Sequence, residues 1–274
     1  MKKTDKRRGW FSNSNNELLR HVQPAMSQEF STDATEEQKA VARDHWSKTV
    51  DDSLDNQTLY DRYSKTAKVY VEATRILNAQ GPKELAITTV ERFPSNRENV
   101  RILDIAAGTG MCAEQLRKQG FKKIDALDGS EGMLEIAREK GLYDRYTLGE
   151  LGDNTLDAAT DTYDAITICA LNESVMKRLP IKAYEEIIRV VKKGGYIIWV
   201  SHYRVFTDAD PEREDMIRHV TSLEAKGKWK RVELRFVSSS IFSEEVTVVF
   251  QSTRSASFSA ALICIHVLSV LWQY

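Results

Sequence analysis

The chain has 274 residues, with 39 basic and 40 acidic side chains and a formal net charge of −1. That balance argues against a dedicated nucleic-acid binder, which shows a basic excess. Hydrophobic residues at 42% and charged ones at 29% exclude a wholly disordered chain and leave ample material for a core.

The three cysteines, Cys112, Cys169 and Cys264, lie too far apart to suggest a disulfide framework or a zinc ribbon, and the histidines are equally scattered. No resident metal is expected. Such cysteine usage fits a reducing compartment, so the expected address is cytoplasmic, with the nucleus second.

Residues 1–50 open on the basic cluster Met1–Arg8 and then turn polar, without the apolar core of a secretory signal. The stretch is expected to be a mostly disordered extension, with a helix near Glu36–Thr49. Residues 53–80 read as a helical segment carrying Leu59, Tyr63, Val69, Tyr70, Ile76 and Leu77, placed to cover a site as a lid.

From residue 100 the pattern alternates. Val100–Ala106 is a short apolar run, a buried strand, and Gly108-Thr109-Gly110 is its turn. Met111–Gln119 reads as a helix closed by Gly120. Lys122–Leu127 is a second strand ending at Asp128. Ser130 caps a helix to Lys140 that Gly141 stops. Arg145–Leu148 and Tyr163–Ala170 are the third and fourth strands. Ile181–Lys192 is a helix with Tyr184, Ile187, Ile188 and Val191 on one face. Gly194-Gly195 turns into a fifth strand, Tyr196–Val200. Trp229–Val237 and Glu244–Phe250 read as a closing pair. The last residues, 254–274, form an apolar tail of unknown role. Its run Ala260–Trp272 is 13 residues, short of the roughly 17–25 a membrane helix needs, so it is at most a marginal tail anchor.

Strands alternating with helices predict an α/β, doubly wound Rossmann-like sheet, with a ligand beyond the carboxyl ends of its strands. The glycine turn marks the place. Glycines at 108 and 110 let the backbone approach a ligand closely, and the next helix offers its N-terminal N–H groups there. Asp104, inside the strand, needs a partner to be buried. Asp128 follows 20 residues after Gly108, the spacing of an acid that takes both ribose hydroxyls of an adenosine. The same turn also fits a dinucleotide pattern. Asp104 weighs against that reading, since it would face a pyrophosphate with like charge, and favours a ligand with a cationic head such as S-adenosylmethionine.

At these residues the sequence resembles the class I S-adenosylmethionine-dependent methyltransferases. The resemblance rests on Leu103–Gly110 (LDIAAGTG), Leu127–Tyr146 (LDGSEGMLEIAREKGLYDRY), Tyr163–Leu171 (YDAITICAL) and Val190–Val200 (VVKKGGYIIWV), with Tyr60–Tyr70 (YDRYSKTAKVY) upstream. It covers about Tyr60 to Phe250, within a domain bounded as 51–253. It implies seven strands, the last antiparallel, and a cofactor site on the first four. Asp104 and the turn Ala106, Ala107, Gly108, Thr109 and Gly110 would face the methionine end. Asp128 would hold the ribose, with Gly129 and Met133 beside the adenine, and Glu150 near its amino group, with Asp153 as fallback. Cys169 to Asn172 would border the methyl group and the substrate. Tyr60 and Tyr63 would close over the cofactor. The chain departs from the family at Ala67, where a second tyrosine is usual, and at Ala106, where the first glycine stands.

The implied activity is methyl transfer to an acceptor that the sequence does not identify, a small molecule ahead of a protein and nucleic acid last. Alignment by the protein suffices for such a transfer, so no catalytic residue stands out. Asn172 and His202 are the substrate-side candidates. The rival is a silent methyltransferase-fold interaction protein that keeps a cofactor pocket.

Overall fold

The computed structural model describes residues 19–21, 34–49, 53–202, 214–237 and 245–253. The basic N-terminal cluster and the apolar tail, with Cys264, lie outside these residues.

The centre is one mixed sheet. Its strands are β1 (Leu19–His21), β2 (Arg101–Ile105), β3 (Lys123–Asp128), β4 (Arg145–Leu148), β5 (Tyr163–Cys169), β6 (Val191–His202), β7 (Trp229–Val237) and β8 (Glu245–Ser252). The order is β1-β7-β8-β6-β5-β2-β3-β4. Strands β2 to β6 run parallel to one another, while β8 is antiparallel to both β6 and β7. The order reverses at β2, which is flanked by β3 and β5, so a crevice opens beyond its carboxyl end. The sequence leads to seven strands; β1, three residues paired in parallel with β7, is an eighth.

The helices are α1 (Glu36–Thr49), α2 (Asn56–Ile76), α3 (Gly81–Arg92), α4 (Met111–Lys118), α5 (Glu131–Glu139), α6 (Glu173–Lys177), α7 (Ile181–Val190) and α8 (Glu214–Ala225). Helix α1 falls where the sequence places it. The single helical segment expected over 53–80 stops at Ile76, and α3 starts afresh at Gly81 with Pro82 in its first turn, a position where a missing N–H costs nothing. Helices α3, α6 and α8 had no counterpart in the sequence expectation. Helix α7 ends two residues earlier than expected, because Val191 already pairs with Tyr163 in the sheet.

Two apolar layers hold the sheet. One packs α7 and α8 around Tyr163, Tyr184, Trp199, Trp229 and Phe250. The other packs α3, α4 and α5 around Leu85, Ile102, Leu116, Phe121, Ile124 and Leu134. Complete burial of a large side chain contributes roughly 1.5–3 kcal/mol, so these layers dominate the stability. Helix α3 is also tied to β7 by ions. Arg235 reaches Glu84 at 3.1 Å and Glu91 at 2.5 Å, and Arg92 pairs with Glu233. Among the described residues no helix is long and apolar enough to cross a membrane.

Candidate active site

The site begins where β2 ends. Ala106 has φ 55°, Gly108 φ 54° and Gly110 φ 85°, so the chain leaves the strand through three left-handed residues. The turn is fastened to β3: the Ala107 N–H donates to the Leu127 carbonyl at 3.2 Å and the Gly108 N–H to Asp128 Oδ2 at 2.7 Å. Asp128 Oδ1 accepts from the Ser130 N–H at 2.8 Å. Each carboxylate oxygen thus holds one backbone N–H and keeps a lone pair for a ligand. Burial pushes the Asp128 carboxyl up to about 6, against the lowering effect of those two N–H groups.

A hollow of about 710 Å³, measured up to its open mouth, lies over this turn. Ile105, Ala106 and Gly108 form its floor, and Leu127, Asp128, Gly129, Met133, Gly149, Glu150 and Leu151 one side. Cys169 to Asn172 and Val175 form another. Leu59, Tyr60, Tyr63 and Tyr70 of α2 cover it.

Helix α2 lies unusually close. A Cβ on Gly129 would come within 2.6 Å of the Tyr60 ring, and one on Gly132 within 2.5 Å of the Ser64 carbonyl oxygen. Only glycine allows that approach. Ser64 Oγ then sits 2.8 Å from Ser130 Oγ and accepts from the Gly132 N–H at 3.2 Å. Tyr60 Oη and Asn56 Nδ2 both donate to Glu150 Oε2, at 3.2 and 3.0 Å. Burial, reinforced by Glu150, holds the Tyr60 phenol protonated. Asn172 caps α6 through the Ser174 N–H and donates to Tyr63 Oη at 3.4 Å.

A second hollow adjoins the first. It is lined by Trp46, Thr74, Gly81, Pro82, Thr109, Met111, Cys112 and Glu245, among others. The two share Tyr70, Ala106, Gly108, Cys169 and Ala170.

Of the residues picked out from the sequence, Tyr60, Tyr63, Ala106, Gly108, Asp128, Gly129, Met133, Glu150, Cys169 and Asn172 line the first hollow, and Ala107 and Thr109 the second. Four are placed differently. Asp104 lines neither hollow. It is buried below the turn, accepting from Thr167 Oγ1 and Tyr143 Oη, both at 2.7 Å. Its partners are neutral hydroxyls, not a ligand's cation, and burial pushes its carboxyl up to about 6 despite them. Gly110 also lies outside both, and a side chain there would overlap Leu142, so its glycine serves packing as well as the turn. His202 ends β6 opposite Glu245 and lines neither hollow. Asp153, the fallback for Glu150, is exposed and lines neither.

The sequence places Tyr70 in the covering helix but does not single it out as a site residue. Its ring lies between the hollows, 5.0 Å from the Trp46 ring and 6.1 Å from that of Tyr63. The signal was present: positions 60, 63, 67 and 70 form one helical stripe, and the tyrosine absent at Ala67 is found one step along. Ala170, within the expected stretch Cys169 to Asn172, lines both hollows. With φ 52° it matches Ala106 across the two strand ends.

A family profile described as a methyltransferase domain matches residues 102–195. The chain is 31% identical to human methyltransferase-like protein 27 over 169 residues, 61% of this chain and 66% of that protein. It is 34% identical to a demethylmenaquinone methyltransferase of Clavibacter sepedonicus over 128 residues, 46% of this chain and 51% of that protein. The chain thus spans about half to two thirds of the length of these curated relatives. A Methanococcus maripaludis protein solved as a candidate S-adenosylmethionine-dependent methyltransferase shares the fold, with a TM-score of 0.52 at 20% identity, over 71% of this chain and 95% of that one. Residues 102–195 thus match a methyltransferase domain, and the sheet shares the fold of a candidate S-adenosylmethionine-dependent methyltransferase.

Proposed function

We propose that this chain binds S-adenosylmethionine in the larger hollow and transfers its methyl group to a small-molecule acceptor. The observation that carries this is the Asp128 carboxylate, clamped by the Gly108 and Ser130 N–H groups at the edge of that hollow. A carboxylate so held has its orientation fixed and one lone pair on each oxygen left over, which suits the adjacent hydroxyls of a ribose. Leu127, Met133 and Leu151 supply apolar walls for an adenine, and Glu150 an acceptor for its amino group. The match to a methyltransferase domain supports the same reading.

The sulfonium supplies a methyl group already activated by positive charge. What the protein adds is placement. Ala106 and Gly108 present bare backbone to the ligand, and Asp128 sets its position along the crevice. Tyr60, Tyr63 and Tyr70 exclude water from above. Alignment of two reactants accounts for a large part of such a barrier, on the order of 7–11 kcal/mol, without a nucleophile in the protein. A hydrogen bond with Cys169, together with burial, holds the Cys112 thiol protonated, so it offers no nucleophile. The cover of α2 tyrosines over the hollow and the near-neutral net charge favour a small acceptor over a nucleic acid.

The test is calorimetric binding of S-adenosylmethionine to the full chain beside Asp128→Ala, followed by an assay for S-adenosylhomocysteine release with pooled small-molecule acceptors. Binding lost in the variant and release by the wild type are expected. Binding without release by any acceptor would favour the silent, interaction-protein reading. No binding by folded wild type would overturn the proposal.

A further inference from the structure

We propose that Cys112 and Cys169 form a reversible disulfide that switches cofactor binding off, with hydrogen peroxide as the oxidant. The effect on binding rests on the larger hollow being the cofactor's; the bond itself does not.

The pair stands where the site is built. Cys112 is the second residue of α4, directly after the glycine turn, and Cys169 is the last of β5, directly before left-handed Ala170. The strands leading to them, β2 and β5, are neighbours in the sheet, paired from Ile102–Ala165 to Ile105–Ile168. Their side chains meet. Cys112 belongs to the apolar layer that Cys169 packs against, and the two thiols are hydrogen-bonded. Both are free thiols.

Access differs between the two. Cys169 is half-buried and lines both hollows, whereas Cys112 is 8% exposed and lines only the second. A small oxidant entering either hollow therefore reaches Cys169 first, with Cys112 behind it to resolve the product. Cys169 Sγ is also confined on the side of α3, since a Cβ on Gly81 would come within 3.0 Å of it. A covalent bond draws two sulfurs closer than a hydrogen-bonded contact does. The first turn of α4 and the end of β5 are pulled together, and Ala106, Gly108 and Ala170 move with them. Those three residues are where the two hollows meet.

The steps balance. The Cys169 sulfur attacks one peroxide oxygen and the O–O bond breaks. That oxygen stays on sulfur as a sulfenic acid, and the other leaves as hydroxide and takes the thiol proton, forming water. The Cys112 sulfur then attacks the Cys169 sulfur. The S–S bond forms, the S–O bond breaks, and the departing hydroxide takes the Cys112 proton as a second water. The two thiols lose two electrons, which reduce the peroxide. At rest Cys112 is protonated, and its hydrogen bond with Cys169 is the first cause, ahead of burial. Oxidation of Cys169 takes that thiol partner away. Added thiol reverses the bridge by exchange.

The experiment treats the full chain with hydrogen peroxide, digests it with trypsin and maps the unreduced peptides by mass spectrometry. Calorimetry measures S-adenosylhomocysteine affinity before oxidation, after it, and after dithiothreitol, with circular dichroism to show that the oxidised chain is folded. Peptides 102–117 and 146–177, which carry Cys112 and Cys169, are expected to be joined. Affinity should fall at least about tenfold on oxidation and return with dithiothreitol. In Cys112→Ser the bridge should be absent and dimedone should label Cys169, whose sulfenic acid has lost its resolving partner. Cys264→Ser should keep the full response. No joined peptides, a bridge to Cys264 instead, an unfolded oxidised chain, or bridged protein that binds as tightly as reduced protein would overturn the proposal. Reduced wild type that binds no S-adenosylhomocysteine would overturn the cofactor assignment and the switch with it, whereas the peptide map still decides the bridge.

Discussion

Two alanines with left-handed backbone, Ala106 and Ala170, stand at the ends of adjacent strands where both hollows meet. An L-residue in that region is strained by roughly 1–2 kcal/mol, and glycine gives back part of that through its freer unfolded chain. Ala106→Gly should therefore stabilise the protein by about 0.5–1 kcal/mol, read as a higher denaturant midpoint. A lower midpoint would contradict the backbone assignment. Asp104 makes the opposite case. Ala in its place strands the Thr167 and Tyr143 hydroxyls in the core, each worth about 1–3 kcal/mol when unsatisfied. The expected result is a large loss of stability. Asp104 and Asp128 have folded-state pKa values raised from 3.8 to about 6. The folded chain thus holds these two protons more tightly than the unfolded chain does. Their contribution to stability is fully present below about pH 4 and is lost as pH rises through about 6. Asp104→Asn should flatten that part of the stability profile. Cofactor binding should run the other way, weakening below about pH 6 as Asp128 gains a proton and loses an acceptor. Calorimetry at pH 5 and pH 7.5 checks the sign.

At the scale of elements, the docking of α2 decides whether the site is closed. Gly129 and Gly132 let it approach, and Tyr60, Asn56 and Glu150 clasp it to the loop after β4. Gly132→Ala should push on the Ser64 backbone, cost about 1–3 kcal/mol, and speed amide hydrogen exchange in α2 while the central strands stay protected. Unchanged exchange in α2 would contradict the packing. The legibility of the sequence divides along the same line. Gly108 and Asp128 belong to one strand–turn–helix–strand unit, so spacing alone located both at the site, and the hydrogen bond between them is the structure's addition. The partners of Asp104 lie 39 and 63 residues away. The sequence could demand a partner there but not name it, and so assigned Asp104 to the ligand. The second hollow was not legible at all. It forms where α1, the end of α2 and the start of α3 meet the turn after β2 and the start of β8, which lie far along the chain from those helices. The helical segment expected over 53–80 stops just before Gly81-Pro82, and that pair starts another helix, because a glycine–proline pair marks an end or a start equally well.

The whole molecule is a parallel sheet whose direction of winding reverses at β2, with antiparallel β8 slotted between β6 and β7. That topology brings the carboxyl ends of β2, β3 and β5 and the amino end of β8 to one edge, and helices α1 and α2 roof it. Glycine turn, ribose acid and apolar wall come from the sheet, while the water-excluding aromatics come from the roof. The division predicts that the sheet alone sets which cofactor binds and the roof sets how well water is kept out. The most direct test of the central claim is calorimetric titration of S-adenosylmethionine into the full chain and into Asp128→Ala, with circular dichroism to show that both are folded. The account predicts saturable one-site binding by the wild type and at least about a tenfold loss in the variant, the effect of removing a charge-assisted hydrogen-bond pair. Equal binding by both proteins would contradict the role given to Asp128, and no binding by folded wild type would contradict the function itself.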